Sequence, residues 1–237
     1  MWEAEETQGI VLNKYMLSGG CRMARIDDYK EALRLARGFL AEKNPDLVAS
    51  FSGSTIQRNA KGDTSLSLRF LNRDIVISWP QLLLREKQSR EQLPVQEQIL
   101  LLHYLQGAWS ASGPGPEGEW IAFQEVPDGR FYLDAFNRRA KNPMVKAFGE
   151  EPERIVSLAA QAFGGVSFDH GDFSVLIQAL PLIPVVLVLW KGDEEFPPEG
   201  NILFDRSVPK ILSAEDIAWL SGMVVYPLIG MARGDGP

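Results

Sequence analysis

Cysteine and histidine are scarce in this sequence, and their scarcity excludes several classes of metal and redox site. Cys21 is the only cysteine among 237 residues, so no intrachain disulfide can form, and Cys-rich zinc and iron–sulfur sites lack their ligands. His103 and His170 are the only histidines, which excludes three-histidine zinc sites and the H-E-x-x-H protease motif. The G-x-S-x-G and P-loop motifs are also missing from the sequence. We therefore expect a fold that needs neither a disulfide nor a structural metal.

The chain also lacks an excess of basic residues and a hydrophobic run long enough for a membrane span. It has 24 Lys and Arg residues against 31 Asp and Glu residues, a net charge of -7 and a pI of about 5.0. Such a chain has no overall attraction to a phosphate backbone, so we expect no nucleic-acid partner. The most apolar stretch, residues 173–189, is interrupted by Pro181 and Pro184. With no signal-peptide pattern in its acidic first residues, the chain is expected to be cytoplasmic, without a membrane partner.

Hydropathy patterns predict both helices and strands. Apolar residues at helical spacing predict helices over residues 27–43, 95–109, 152–163 and 212–228. Alternating apolar residues predict strands over residues 66–70, 75–79 and 120–126, and residues 131–136 fit either a strand or the approach to a helix. Short apolar runs predict further strands over residues 173–180, 185–190 and 201–205. Strands are neighbours and do not alternate regularly with helices, so we predict an α+β fold, with a mainly antiparallel sheet and several flanking helices.

The domain organisation follows from composition. Residues 1–25 begin with an acidic stretch at residues 3–6 and are weakly patterned, and we predict an N-terminal extension there, followed by a single α+β domain over residues 26–237. Residues 81–92 are rich in charged and amide side chains and predict a solvated connection. Residues 110–118 are rich in Gly, Pro and Ser and predict a loop, which would suit a lid over a site.

A run of carboxylates after a predicted strand is the densest polar cluster in the sequence. Asp193, Glu194 and Glu195 lie between Trp190 and Phe196. Such a loop suits a hard cation, acid–base chemistry or the rim of a pocket, and the flanking aromatic residues suit the wall of a cleft. A solvated acidic turn is the simpler interpretation.

His103 is the histidine with the more apolar neighbours in sequence. It lies in the run L-L-L-H-Y-L of the predicted helix 95–109. An imidazole there suits a metal ligand or a base, or else a core histidine bonded to a backbone carbonyl or a tyrosine hydroxyl. His170 lies in a polar turn and is expected at the surface. Trp120 and Phe123 belong to a group of aromatic residues that would stack on a flat ligand or fill the core.

Two groups of motifs resemble a known prokaryotic family. The first comprises L-L-L-H-Y-L at residues 100–105 and G-E-W-I-A-F at residues 118–123. The second runs from residue 171 through W-K-G-D-E-E-F-P at residues 190–197 to I-L-F-D at residues 202–205 and the acidic pair at residues 215–216. Together they are similar to a domain-of-unknown-function family that is associated with anaerobes using corrinoid-dependent one-carbon metabolism. The resemblance covers about residues 29–228.

The resemblance implies a protein that binds cobalamin or another tetrapyrrole, non-catalytic or accessory, with a corrinoid-dependent protein as partner. A flat macrocycle would lie between aromatic walls, with His103 as the axial nitrogen ligand of its metal. The expected cofactor-binding residues are His103, Trp120, Phe123, Trp190, Asp193, Glu194, Glu195 and Phe196. The corrinoid motif D-x-H-x-x-G is missing from the sequence, so a corrinoid site would have another design.

Two other classes of function stay open. One is a hydrolase-type enzyme that uses the carboxylates of residues 193–195 as acid and base or as ligands for Mg²⁺ or Ca²⁺. The other is a protein-binding accessory module, whose acidic surface docks on a basic partner.

Overall fold

The computed structural model describes residues 26–234, which form two antiparallel sheets and a set of flanking helices. Strands β1 (Thr55–Arg58), β2 (Thr64–Phe70), β3 (Arg73–Trp79) and β4 (Leu84–Glu86) form the first sheet in that order. The second sheet consists of β5 (Trp120–Ala122), β6 (Val166–Ser167), β7 (Phe173–Leu180), β8 (Ile183–Trp190) and β9 (Glu199–Asp205). Its strand order is β5-β9-β8-β7-β6. All the strand pairs are antiparallel, so the predicted α+β class is confirmed.

The helices include every segment for which the sequence predicts one. They are α1 (Ile26–Ala41), α2 (Pro45–Ser52), α3 (Val95–Ser110), α4 (Gly129–Phe136), α5 (Asn142–Phe148), α6 (Glu153–Phe163) and α7 (Ala214–Arg233). A π-helical turn, Asn137–Lys141, joins α4 to α5, and short 3-10 turns lie at Phe123–Glu125 and Val208–Lys210. Among the described residues no helix has the length and apolar character needed to cross a membrane.

Two helix ends show why the sequence signals work. Ser213 begins α7 as a capping box: its hydroxyl oxygen accepts from the Asp216 N–H at 3.2 Å, and Asp216 accepts from the Ser213 N–H at 3.4 Å. Gly164 ends α6 in the left-handed region with φ of 68°, a conformation that glycine adopts without a steric penalty. Both ends are encoded by a few neighbouring residues, and this locality makes them predictable.

Several predicted elements need correction. Residues 81–92 are more than a solvated connection, because they contain β4 and bury Leu82 and Leu84. Residues 131–136 belong to helix α4, whose Phe136 is buried while Phe131 is 87% exposed. The strand predicted over residues 120–126 ends at Ala122. Pro184 does not interrupt β8, because it pairs with Gln178 of β7, next to a shift in the register of that strand. Helix α2 and strand β1 were not predicted.

The five-stranded sheet is covered on both faces. Its inner face contributes residues such as Leu187 and Phe204 to the main hydrophobic core. Its outer face carries a second, smaller cluster built on Val186 and Val188. Trp120, from the β5 edge, and Phe168, which follows β6 at the opposite edge, meet with ring centroids 5.2 Å apart. Aromatic side chains therefore shield the outer face, and β8 is buried along nearly its whole length.

The outermost strands of both sheets are much shorter than the inner ones. In the described residues β1 has 4 residues, β4 and β5 have 3 each, and β6 has 2. The inner strands have 7 or 8 residues. The predicted N-terminal extension over residues 1–25, including Cys21, lies outside the described residues, and the single domain stays a prediction.

Candidate functional site

His103 and Asp216 form a pair between helices α3 and α7. His103 Nδ1 lies 2.8 Å from Asp216 Oδ1, and Asp216 Oδ2 accepts a hydrogen bond from the Ser213 hydroxyl at 2.7 Å. The His103 side chain is 35% exposed and that of Asp216 is 13% exposed, so the pair lies where the core meets solvent. Nε2 of His103 makes no hydrogen bond with any residue between 26 and 234. A carboxylate on Nδ1 fixes the ring and leaves Nε2 for a ligand or a proton transfer.

The setting of His103 differs from the apolar one that its sequence neighbours suggested. The hydrogen bond with Asp216 raises the pKa of His103 above its ordinary value; partial burial works against this shift, and the charges of Asp216 and Glu215 reinforce it. The imidazolium form is therefore favoured. Before a metal can bind the Nε2 lone pair, the imidazolium of His103 must lose its Nε2 proton.

Three further polar or aromatic side chains lie near this pair. Burial raises the pKa of Tyr29, and Arg139 opposes this while Glu215 adds to it. The Arg139 guanidinium lies 5.0 Å from the ring centroid of Trp219. Glu215, in the first turn of α7, acts on the pKa of both Tyr29 and His103, and Trp219 lies further along the same helix. Arg139 is on the π-helical turn, a rare element that is frequent at functional sites.

The lack of a side chain at Gly107 allows the chain that leads into α7 to lie close to His103. Gly107 lies one helical turn after His103 on α3, so the two residues share a helix face. A Cβ atom at Gly107 would lie 1.8 Å from the carbonyl oxygen of Ile211. Only glycine permits this approach, and the chain that leaves Ile211 enters the α7 cap and carries Asp216 to the imidazole.

The His103 pair should make stability depend on pH. The folded-state pKa of His103 is raised, so its contribution is complete below the unfolded pKa of about 6.5 and is lost as the pH rises through the folded pKa. We expect His103→Gln to lower the free energy of unfolding by about 1 kcal/mol or less at low pH, because the His103 side chain is 35% exposed and solvent partly screens the pair. Urea unfolding from about pH 5 to above pH 8 measures this. His170→Gln, at an exposed position, is the control, and parallel profiles for wild type and His103→Gln would contradict the expectation.

The predicted aromatic walls are not in one place. Phe123 is fully buried in the main core, where it stacks on Phe136 with ring centroids 4.1 Å apart. Trp120 and Trp190 pack instead on the outer face of the five-stranded sheet. Phe123 therefore has no free face for a flat ligand. Their spacing in the sequence predicted that these aromatic residues would be packed, but it did not predict which face of the sheet each would occupy.

The predicted acidic loop is an exposed turn. Asp193 Oδ1 accepts from the N–H groups of Glu195 and Phe196, both at 2.8 Å, and these hydrogen bonds hold the pKa of Asp193 below its ordinary value. Asp193, Glu194 and Glu195 are all exposed, and Phe196 is 68% exposed. In the part of the chain that the structure describes, no three His, Cys, Asp or Glu residues are grouped so as to hold a metal ion.

Asp205, the acid of the I-L-F-D motif, is a buried anchor that sequence reasoning missed. Its carboxylate accepts from the N–H groups of Glu117 and Gly118 at 2.9 and 2.6 Å, and from the N–H and hydroxyl of Ser207 at 2.9 and 2.6 Å. Burial raises the pKa of Asp205, but the four hydrogen bonds outweigh it and hold the pKa below its ordinary value. The loop over residues 110–118 is therefore tied to the five-stranded sheet at its end.

These features define the chain as an α+β protein with a histidine oriented by a carboxylate at the start of its last helix. The chain belongs to the family described as a domain of unknown function (DUF3786), which matches residues 44–226. The match includes His103, Asp205 and Asp216, whereas Tyr29 lies before it. No curated protein matches the chain, and no solved structure does. The resemblance to a domain-of-unknown-function family is thereby confirmed.

Proposed function

We propose that this protein binds a corrinoid or another tetrapyrrole, with Nε2 of His103 as the axial ligand of the metal. The observation that carries the proposal is the chain of hydrogen bonds from His103 through Asp216 to Ser213. A carboxylate partner on Nδ1 fixes the tautomer and raises the basicity of the other ring nitrogen, as it does for histidine ligands of metals in general. The association of the resembling family with corrinoid-using anaerobes makes a corrinoid the first candidate.

The ligand set fits a macrocycle better than a bare metal ion. A tetrapyrrole supplies four nitrogen ligands of its own and requires one axial group from the protein. His103 is one such group, and the described residues contain no cluster of three metal-ligating side chains. A single oriented imidazole matches the one axial position of such a cofactor and does not match the three or four protein ligands of a zinc site.

The neighbours of His103 suit the periphery of such a cofactor. Porphyrins carry carboxylates and corrinoids carry amides at the ring edge, and both are groups that a guanidinium or a phenol can hydrogen-bond. Arg139 and Tyr29 offer these groups, and the half-buried Trp219 offers an aromatic face. In this proposal Trp219 has the role of aromatic wall, which the sequence analysis gave to Trp120, Phe123, Trp190 and Phe196. The proposed role is accessory and non-catalytic, in the cytoplasm, with a corrinoid-dependent protein as partner.

Absorption spectroscopy of the purified protein with aquacobalamin, and separately with hemin, tests the proposal. We expect a spectral change for wild type that His103→Ala abolishes and that free imidazole restores. Asp216→Asn should weaken binding by about 10- to 100-fold, because the carboxylate only orients the ligand. Binding should strengthen as the pH rises through the raised pKa of His103, since coordination displaces a proton.

The control is His170→Ala, which removes the other, exposed histidine. It should leave the spectra unchanged, and circular dichroism should show that both alanine variants keep the fold. If wild type shows no spectral change with either compound, or if His170→Ala abolishes the change, the proposal fails.

The hydrolase-type alternative at residues 193–195 receives less support. The carboxylates there are exposed, and the lowered pKa of Asp193 keeps that group ionised, which is the wrong state for a general acid at neutral pH. If the tetrapyrrole proposal fails, the His103–Asp216 pair is the better place to look for acid–base chemistry, because the carboxylate orients the imidazole and raises the pKa of His103 above its ordinary value.

A further inference from the structure

The outward face of the first sheet holds a cavity with several basic side chains on its wall. Its volume is about 410 Å³, and Arg85, Lys87 and Arg90 line it. The register of the sheet pairs Val76 of β3 with Arg85 of β4, so these two side chains emerge on the same face. The cavity shares no residue with the His103 pair, and an inference about it stands apart from the proposed function.

The positive charge in this cavity is largely uncompensated. Within residues 26–234, neither Arg85 nor Arg90 forms an ion pair, and Lys87 has only a distant one, with Nζ 3.9 Å from an oxygen of Asp74. Asp74 is itself shared with Arg69, at 3.4 Å. One carboxylate, that of Glu86, also lines the cavity. Three cations against one lining anion is a local excess of positive charge in a chain whose net charge is -7.

The backbone holds Arg90 in a conformation that arginine rarely adopts. Its φ is 62°, in the left-handed region, and its N–H donates to the Glu86 carbonyl at 2.9 Å to close the turn after β4. A non-glycine residue in this region costs about 1 kcal/mol or more. Such positions are frequent at ligand sites, and Arg90 lines the cavity.

The rest of the wall is suited to a ligand with an apolar part. Val76 and Leu83 provide apolar surface, and Leu83 is 38% exposed. The Ser78 oxygen accepts a hydrogen bond from the Leu83 N–H at 3.2 Å, so its own proton is available to a ligand oxygen. Cations, a hydroxyl donor and a small apolar wall therefore lie around one space.

We propose that this cavity binds a small organic phosphate, with Arg85 and Arg90 on the phosphoryl oxygens and the apolar part of the ligand against Val76 and Leu83. The planar guanidinium matches phosphoryl oxygens in a bidentate arrangement, and two or three cations suit a doubly charged group. The volume is in the range of small-molecule sites. A long nucleic acid is disfavoured, because the acidic remainder of the protein repels an extended polyanion.

Calorimetric titration with phenyl phosphate tests this proposal, with inorganic phosphate, benzoate and a short single-stranded oligonucleotide as comparison ligands. We expect phenyl phosphate to bind more tightly than inorganic phosphate, which lacks the apolar part, and than benzoate, which has a single negative charge. Arg85→Ala and Arg90→Gly should each weaken its binding by about tenfold or more. Arg130→Ala is the matched control, since Arg130 is exposed and has no ion pair in the described chain.

The glycine variant separates binding from folding. Arg90→Gly relieves the left-handed strain, so its urea midpoint should equal or exceed that of wild type while binding is lost. The proposal is overturned if wild type does not bind phenyl phosphate, if benzoate binds as well, or if Arg130→Ala weakens binding as much as Arg85→Ala. If the oligonucleotide binds more tightly than phenyl phosphate, the ligand of this cavity is a nucleic acid and not a small organic phosphate.

Discussion

Gly107→Ala should destabilise the protein by about 3 kcal/mol, although alanine is normally the better residue inside a helix. The reason is the 1.8 Å distance between a Cβ at this position and the carbonyl oxygen of Ile211. Both partners belong to backbone segments, so no side-chain rotation can relieve the overlap, and α3 must move away from the chain that leads into α7. Urea unfolding followed by circular dichroism measures the loss.

Gly38→Ala is the control for this substitution. Gly38 lies in α1, and no heavy atom is within 4 Å of the position of its Cβ. The same chemical change should therefore stabilise the protein by about 0.5 to 1 kcal/mol. Opposite signs at the two positions would establish the close approach of α3, whereas a stabilising Gly107→Ala would show that the approach does not exist. Gly107→Ala should also weaken the hydrogen bond between His103 and Asp216, which depends on the close approach of α3 to the start of α7.

Asp205→Ala should lower the free energy of unfolding by about 2 to 3 kcal/mol. The substitution leaves the N–H of the fully buried Ser207 without its acceptor, and an unpaired buried donor is expensive. It also removes the acceptor of the Glu117 and Gly118 N–H groups, which hold the end of the loop. The end of the loop over residues 110–118 should detach from the sheet at the same time. We expect a lower urea midpoint and faster proteolytic cleavage within this loop.

Asp193→Ala provides the comparison for Asp205→Ala. Asp193 also accepts two backbone N–H groups, but in an exposed turn where water can replace it. Asp193→Ala should therefore lower the free energy of unfolding by about 1 kcal/mol or less. Equal effects of the two substitutions would mean that Asp205 is not the anchor that its burial implies.

The sequence was sufficient to predict the elements that depend on local signals. The cap at Ser213, the stop at Gly164 and the alternation in β2 and β3 each act within a few residues. Strand β4 was missed because its outward side chains are charged, and its assignment depends on pairing with β3 rather than on its own composition. Helix α4 was ambiguous because it is short and rich in aromatic residues, which also favour strands.

The candidate site was predictable only in part. His103 could be singled out from its type, but its partner Asp216 lies 113 residues away and was named only as part of the acidic pair at residues 215–216. Phe123 and Trp120 are close in sequence, yet one lies in the main core and the other on the outer face of the sheet. Which face a residue takes after β5 depends on the 3-10 turn at Phe123–Glu125, which has no strong sequence signal.

The short outer strands have a consequence for how copies of this chain meet at high concentration. The edge of a β-sheet offers unpaired N–H and C=O groups that can template a strand from a neighbouring molecule, the first step of edge-to-edge aggregation. In the described chain the four edges are formed by β1, β4, β5 and β6, with 2 to 4 residues each. The long apolar strands β7 and β8, which would be hazardous at an edge, have neighbours on both sides. The strand order therefore protects the most amyloid-prone segments of the chain by placing them in the middle of the sheet.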